Sequence, residues 1–355
     1  MTMTRELLII DPRHEFGTLT DVVKWCEYLR HDYRITVLSF DGPARYELPG
    51  VSVVRIGGGI SSVRGKLAFI LAAMRLIHKA KGVVWMEYFR KCHLFKSIFP
   101  GKRWHVDVRS LCISTDESYR KAYDRTMVAE CARFRSISTL SEGVAARFGR
   151  GDVKMLPLGA DVISSRHKCY TDGLRLLYVG TFDNRNLHLT VQGVAMFVRR
   201  HPEMSVTYDL IGTGCDEAVV AVENAVRESF LDHVVTLHGY VSHDRLAKYF
   251  DTTNIGIAFI PLTDYFDAQP PTKTYEYLMS GLYTVATSTS ENRKLITPES
   301  GTLIDDTPEG MCRGLEQFCA VSGKLSFNRI SSCQEDVSWR NIVDKHLRPI
   351  LSGLS

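Results

Sequence analysis

The sequence has no cysteine pair at C-x-x-C spacing, no window approaching 18 unbroken apolar residues, no low-complexity tract and no short-period repeat. Its nine cysteines, Cys26, Cys92, Cys112, Cys131, Cys169, Cys215, Cys312, Cys319 and Cys333, are scattered and odd in number. That argues against a disulfide framework and a structural zinc site, and reads as small core residues in a reducing compartment. Without a long apolar run, no membrane-spanning helix is expected. The apolar stretch within MTMTRELLIIDP is too short for an export signal, which places the chain inside the cell. A strong excess of either charge is missing too, and a net charge of +4 demands no nucleic-acid partner. What is present, 355 residues with 45% hydrophobic content, suits a soluble globular protein of one large domain or, in better keeping with its length, two ordinary ones.

Short apolar runs alternate with amphipathic stretches, as in parallel strands joined by helices. In the first half the strands fall at Leu7 to Asp11, Arg34 to Phe40, Val51 to Ile56, Gly82 to Glu87, Arg103 to Val108, Ser136 to Leu140 and Val153 to Leu156. The first runs into a loop, Pro12 to Thr18, in which Gly17 precedes a helix with its apolar face at Leu19, Val22, Val23, Cys26 and Leu29. Ligands of open α/β sheets collect beyond the carboxyl ends of strands, so this loop is a candidate site. It lacks G-x-G-x-x-G, which disfavours a dinucleotide.

Between residues 63 and 103 ten basic residues, among them Arg64, Lys66, Arg75, Arg90 and Lys91, stand against Glu87 alone, interleaved with Leu67, Phe69, Ile70, Leu94, Phe95 and Ile98. Such a mixture can lie on an anionic membrane surface. It is equally the pattern of two core helices with solvated basic faces. Asp107 and Arg109 end the strand RWHVDVRS, where an acid and a base are placed for chemistry or form an internal structural pair. Ser141 caps a short helix ending near Gly149. Residues 157 to 173 have no sustained period and read as an interdomain linker.

The alternation restarts with strands at Leu174 to Val179, Ser205 to Ile211, Val234 to Leu237, Ile255 to Ile260, Thr284 to Thr287 and Thr302 to Ile304. Two of them enter glycine turns, at Gly180 and at Gly212 and Gly214, where backbone can approach a ligand closely. Arg185 follows the first turn. The stretch that organises the chain is Pro270 to Ser288: a proline pair, a helix ended by Gly281, then a β-branched strand. The unpaired N–H groups of such a helix, with Thr272 and Lys273 in its first turn, make a site for a phosphate. Glu276 shares a face with Lys273, about 4.5 Å further along the axis. A diphosphate at Lys273 would bring a ribose diol to Glu276, whose oxygens can accept from both hydroxyls. An ordinary buried crossover helix, with Glu276 complementing the dipole, has the same pattern. Near the end, Val337 to Leu351 reads as an amphipathic helix with Trp339, Ile342, Val343 and Leu347 on one side.

Taken in order, SISTLSEGVAARFG with VKMLPLGAD, LLYVGTF, YDLIGTG, VVTLHGYVSHDRLAKYF, IGIAFIP, PPTKTYEYLMSGLYTVATS and the late tryptophan helix resemble the GT-B glycosyltransferases. Within them the likeness is to retaining, group 1 or family-4-like enzymes of bacterial polysaccharide and glycolipid synthesis, and it covers nearly the whole chain. The resemblance implies two Rossmann-like domains facing across a cleft: an acceptor-side domain over 1–160, a nucleotide-sugar domain over 161–335, and a helix over 336–355 returning to the first. The donor would be a nucleoside diphosphate sugar, UDP- or GDP-linked, with no cofactor and no metal. Pro271 to Glu276 matches the P-x-K-x-x-E branch, which assigns Lys273 to the diphosphate and Glu276 to the ribose, while the loop from His238 to Val241, with Gly239 and Tyr240, would lie beside the base.

Gly17, Gly180, Arg185, Gly212 and Thr272 complete the donor contacts expected on this likeness, and Asp107, Arg109 and Lys273 are its expected catalytic residues. The sequence departs from the family where a second glutamate, eight residues before Glu276, is replaced by Ala268, and where the glycine pair after the first strand is reduced to Gly17. The acceptor implied is a saccharide or lipid-linked saccharide, with peripheral membrane contact through residues 63–103. A GT-B sugar epimerase, a two-domain sugar-binding protein and a noncatalytic scaffold are the rival readings.

Overall fold

The computed structural model describes residues 5–18, 20–42, 45–59, 61–332 and 335–354, without the side chains of His14 and Glu335. Leu19 and Cys333, named above, lie outside the described residues. The chain divides into two compact units, one of Met1–Gly159 with Trp339–Ser355, the other of Ala160–Ser338.

In the first unit the described strands are β1 (Arg5–Glu15), β2 (Tyr33–Phe40), β3 (Val51–Ile56), β4 (Val83–Glu87), β5 (Arg103–Val108), β6 (Ile137–Thr139) and β7 (Lys154–Met155). They form one parallel sheet in the order β3-β2-β1-β4-β5-β6-β7. Every residue of β4 is buried, as expected of a parallel strand covered on both faces, which reads as an unbroken apolar run. Alternate residues of β1 serve opposite faces: Leu8 and Ile10 join the core under helix Val63–Lys79, and Leu7 and Ile9 join the one under helix Thr20–Leu29.

The second core also takes in Trp339, Ile342, Leu347 and Leu351. This closing segment is not one uniform helix. It runs as α-helix over Trp339–Ile342, widens to a π-turn over Val343–Leu347 and returns to α-helix over Arg348–Ser352. Pro349 has no N–H to give to the carbonyl four residues back, and its ring crowds that carbonyl, so the ladder opens there.

The second unit carries β8 (Leu174–Val179), β9 (Val206–Ile211), β10 (Val235–Gly239), β11 (Ile255–Ala258), β12 (Tyr283–Thr287) and β13 (Gly301–Ile304), parallel in the order β10-β9-β8-β11-β12-β13. Two parallel-sheet, Rossmann-like α/β units are the architecture the alternation implied. Much of the segment read as linker is strapped onto this unit. The Tyr170 hydroxyl donates to the Gly281 carbonyl at 2.6 Å, Ser164 Oγ donates to Asp251 at 2.5 Å, and Asn254 donates to the carbonyls of Cys169 and Gly173. Side-chain hydrogen bonds to irregular backbone leave no periodic trace in sequence. Among the described residues no helix is long and apolar enough to cross a membrane.

Trp339 is 1% exposed, and a Cβ on Gly159 would collide with its ring. Trp339→Ala should therefore destabilise the first unit by about 3–5 kcal/mol through lost burial and a residual cavity, read as a lowered denaturation midpoint in urea, and Gly159→Ala should lower the same midpoint by displacing the ring.

Candidate functional site

In the second sheet the strand order reverses between β8 and β11, with β9 and β10 on one side and β12 and β13 on the other. Such a switch point leaves a crevice beyond the carboxyl ends of the two central strands. Glycine turns close β8, β9 and β10: Gly180 (φ +144°), Gly212 (φ +143°) and Gly239 (φ +66°). The Gly180 N–H donates to the Ile211 carbonyl and the Gly212 N–H to the Gly239 carbonyl, each at 2.9 Å. A Cβ on Gly212 would strike the Gly180 carbonyl oxygen, so at that position the left-handed φ and the close approach both require glycine.

Helix Thr272–Met279 starts from the other side of this crevice, after β11, with Pro271 as a cap residue that makes no side-chain capping bond. It is held from below by its own residues. The Val179 N–H donates to the Tyr277 hydroxyl at 2.9 Å, and Thr274 donates to Asn292 at 3.0 Å. Lys273 reaches back over the β8 turn: its Nζ lies 3.8 Å from the centroid of the Tyr178 ring, and a Cβ on Gly180 would come within 2.7 Å of it. Arg185 is presented on the same loop between Asn184 and Asn186, both left-handed, and stacks 4.3 Å from the Phe266 ring centroid. Desolvation, and then the neighbouring Arg185, hold the Lys273 amine well below the ordinary lysine range, with Glu276 opposing. Burial lowers Arg185 as well. Among the described residues no carboxylate stands within salt-bridge distance of either cation. Two half-buried cations in this state favour an anion between them.

One helical turn beyond Lys273, Glu276 is 9% exposed, with His243 Nε2 3.4 Å from Oε1. Thr272 is half-buried in the first turn, and Tyr240 is 79% exposed beyond Gly239. The β8/β11 crevice thus gathers Gly180, Arg185, Lys273 and Glu276, flanked by the Gly212 and Gly239 turns. His243, Tyr178 and Phe266 complete its contacts. His243 lies in the run HGYVSHDR, already notable for its glycine, but its distance to Glu276 depends on a long-range approach that local pattern does not record.

The first sheet has its own switch point, between β1 and β4. Here Arg13, near the end of β1, pairs with Glu87, the last residue of β4, a pairing that no local pattern in the sequence records. Gly17 (φ +111°) lies in the turn after β1, where a Cβ would collide with Tyr46. Asp107 is fully buried on β5, in register with Glu87. Ser138 donates to its Oδ1, while Oδ2 has no hydrogen-bond partner among the described residues and Arg109 Nε stands 3.7 Å away. Ser138 in turn meets His105 Nε2 at 2.8 Å, and Ser136 meets His105 Nδ1 at 2.8 Å.

Arg109 is committed within the unit. It donates to Asp21 through Nε at 2.9 Å and Nη2 at 2.5 Å, and to the Leu156 carbonyl at 2.7 Å. Residues 63 to 103 fold as helix Val63–Lys79, β4 and helix His93–Ile98. Phe69, Ala73 and Ile77 face the core, whereas Val63, Leu67 and Leu71 are 57–81% exposed beside Arg64, Lys66 and Arg75.

Burial pushes the Asp107 carboxyl up from 3.8 to about 6, against the pull of Arg109 and Ser138. Between those values the folded protein binds more protons than the unfolded chain, so this group's contribution to stability is present at the acid end and is lost as pH rises through about 6. Asp107→Asn should remove that loss. The urea midpoint of the wild type, relative to the variant, is expected to fall between about pH 4 and about pH 7.

Comparison with known proteins agrees with this architecture. Residues 173–320 match the family described as glycosyl transferases, group 1. No curated protein matches the sequence. The Anabaena protein HepE, solved in complex with UDP and glucose, is similar in structure with a TM-score of 0.77 at 14% identity, over 98% of this chain and 100% of that one. A glycosyltransferase from Rickettsia africae is similar at TM-score 0.74 and 12% identity, covering 99% of each chain. The lipopolysaccharide outer core galactosyltransferase WaaB is similar at TM-score 0.70 and 12% identity, over 98% of this chain and 99% of that one. The chain thus has the GT-B fold along its length, and its residues 173–320 are similar to the group 1 glycosyl transferases.

Proposed function

We propose that this protein is a retaining glycosyltransferase that moves a hexose from a nucleoside diphosphate donor to a saccharide or lipid-linked saccharide acceptor in surface polysaccharide synthesis. The observation that carries this reading is the pair of desolvated cations, Lys273 and Arg185, above the Gly180 turn, with Glu276 one helical turn further on. A diphosphate between the cations brings the ribose hydroxyls to Glu276, and the Gly239–Tyr240 turn lies where the base would extend. The Anabaena relative solved with UDP and with UDP-glucose supports a UDP-linked donor.

The difficult step is separation of a diphosphate from an oxocarbenium-like sugar. Lys273, Arg185 and the first-turn N–H groups at Thr272 would take up the charge on the departing oxygens, the task a metal performs elsewhere. On the first unit, Asp107, whose Oδ2 has no hydrogen-bond partner among the described residues, and Arg109, 3.7 Å from that oxygen, are the groups assigned to organising the acceptor side. The exposed apolar and basic face of helix Val63–Lys79 supports peripheral contact with an anionic membrane.

UDP at 100 times its dissociation constant should stabilise the protein by about 2.7 kcal/mol, a melting shift of a few degrees. The shift should vanish in Glu276→Ala. Lys273→Ala should lower kcat/KM for sugar transfer by about 10- to 150-fold, the worth of a charge-assisted hydrogen bond. Absence of a shift with UDP, GDP or any other nucleoside diphosphate would withdraw the donor site, and release of free monosaccharide without an acceptor would redirect the reading to an epimerase. Sedimentation with anionic vesicles at low salt, reversed at high salt, is the expected mark of the membrane face; recovery wholly in the supernatant would remove it.

A further inference from the structure

We propose that the first unit holds a single hydrocarbon chain of a lipid phosphate in a groove between helices Val63–Lys79 and His93–Ile98, an assignment that rests on the lipid-linked acceptor reading above. The groove has a volume of about 570 Å³, within the range of about 300–1,000 Å³ common to small-molecule sites. Phe69, Ile70 and Met74 form one wall, and Leu94, Phe95 and Ile98 another. The two helices do not close over each other, for Ile70, Leu94 and Ile98 remain 44%, 48% and 54% exposed. Among the described residues that line the groove every side chain is apolar or cationic; no acid, amide or hydroxyl is present. Such a lining offers a ligand nothing except dispersion contact and positive charge.

The cations are Arg13, Lys66, Arg90 and Lys91. Arg13 is engaged by Glu87, but among the described residues no carboxylate lies within salt-bridge distance of the side chains of Lys66, Arg90 or Lys91. Lys91 adopts a left-handed φ of +68°, and its N–H donates to Glu130 at 2.7 Å. That buried acid therefore fixes the turn that sets Arg90 and Lys91 at the groove. A flat bilayer contact needs no concavity, and a partner helix would bring polar groups with nothing here to pair them. An apolar chain headed by a phosphate satisfies both parts of the lining, its head held at the basic rim and its tail along the wall.

The test is equilibrium dialysis of the full chain with farnesyl phosphate below its aggregation concentration, with farnesol, inorganic phosphate and anionic vesicles in parallel. One saturable site is expected, with farnesol at least about tenfold weaker and no competition from inorganic phosphate at equal concentration. Ile70→Asp and Leu94→Asp, at partly exposed positions, should each weaken binding about tenfold or more, and Lys66→Ala several-fold. UDP stabilisation, measured on the same samples, should be unchanged in all three.

Absence of saturable binding, binding to vesicles alone, or binding indifferent to Ile70→Asp and Leu94→Asp would overturn the proposal. If UDP still stabilises the protein in that case, the donor site stands without the groove. Farnesyl phosphate binding in a protein that no nucleotide stabilises would support the lipid site while removing the transferase reading on which its acceptor role rests.

Discussion

Withdrawing an ammonium group from water with no carboxylate at salt-bridge distance among the described residues is the constraint around which the second unit is arranged. Lys273 is placed by a helix anchored through Tyr277, bonded to β8, and Thr274, bonded to Asn292. Its amine rests on the face of Tyr178, whose quadrupole offsets part of the lost hydration. Arg185, stacked on Phe266, raises the local positive potential further. A folded protein tolerates such a concentration of charge at the expense of stability, and natural sequences concentrate that kind of frustration at sites that meet a ligand of opposite sign. The proposed donor relieves it.

Both sheets open a crevice by the same geometry. Central parallel strands diverge in chain direction at one place, and the loops that leave them cannot cover the gap. In the second unit the gap is lined by glycine turns so tightly apposed that a methyl group on Gly212 would meet the Gly180 carbonyl. In the first it is filled by ionisable side chains: Arg13 with Glu87, then Asp107 and Arg109 with Asp21. This contrast is chemical. Bare backbone suits a polyanion that must approach closely, whereas the paired charges of the first unit leave Asp107 Oδ2 and Glu87 Oε2 buried without a hydrogen-bond partner among the described residues.

The basic and apolar stretch between residues 63 and 103 resolves into separate surfaces once folded. Phe69, Ala73 and Ile77 complete the core, Val63, Leu67 and Leu71 face outward, and Ile70 with Leu94 and Ile98 borders the groove. A 3.6-residue period distributes one run of similar residues among these three environments.

The α/β architecture was legible because parallel strands buried on both faces are written as unbroken apolar runs, of which VVWME and YTVAT are examples. The helix from Thr272 was legible for a similar reason, since prolines and Gly281 mark its ends and Lys273 and Glu276 lie within one turn. The π-turn before Pro349 and the strapping of residues 160–173 were not, because both depend on hydrogen bonds between residues far from regular periodicity. The pairings of Arg13 with Glu87 and of His243 with Glu276 escaped for the same cause: each brings together strands or loops remote in sequence. Thus the sequence by itself determined the elements, their order and the one local constellation at Lys273 and Glu276, all of which rest on interactions within a few residues. Only the tertiary structure decided which strand ends adjoin, which cations are deprived of water and which apolar faces stay uncovered, because burial and long-range approach are properties of the packed chain.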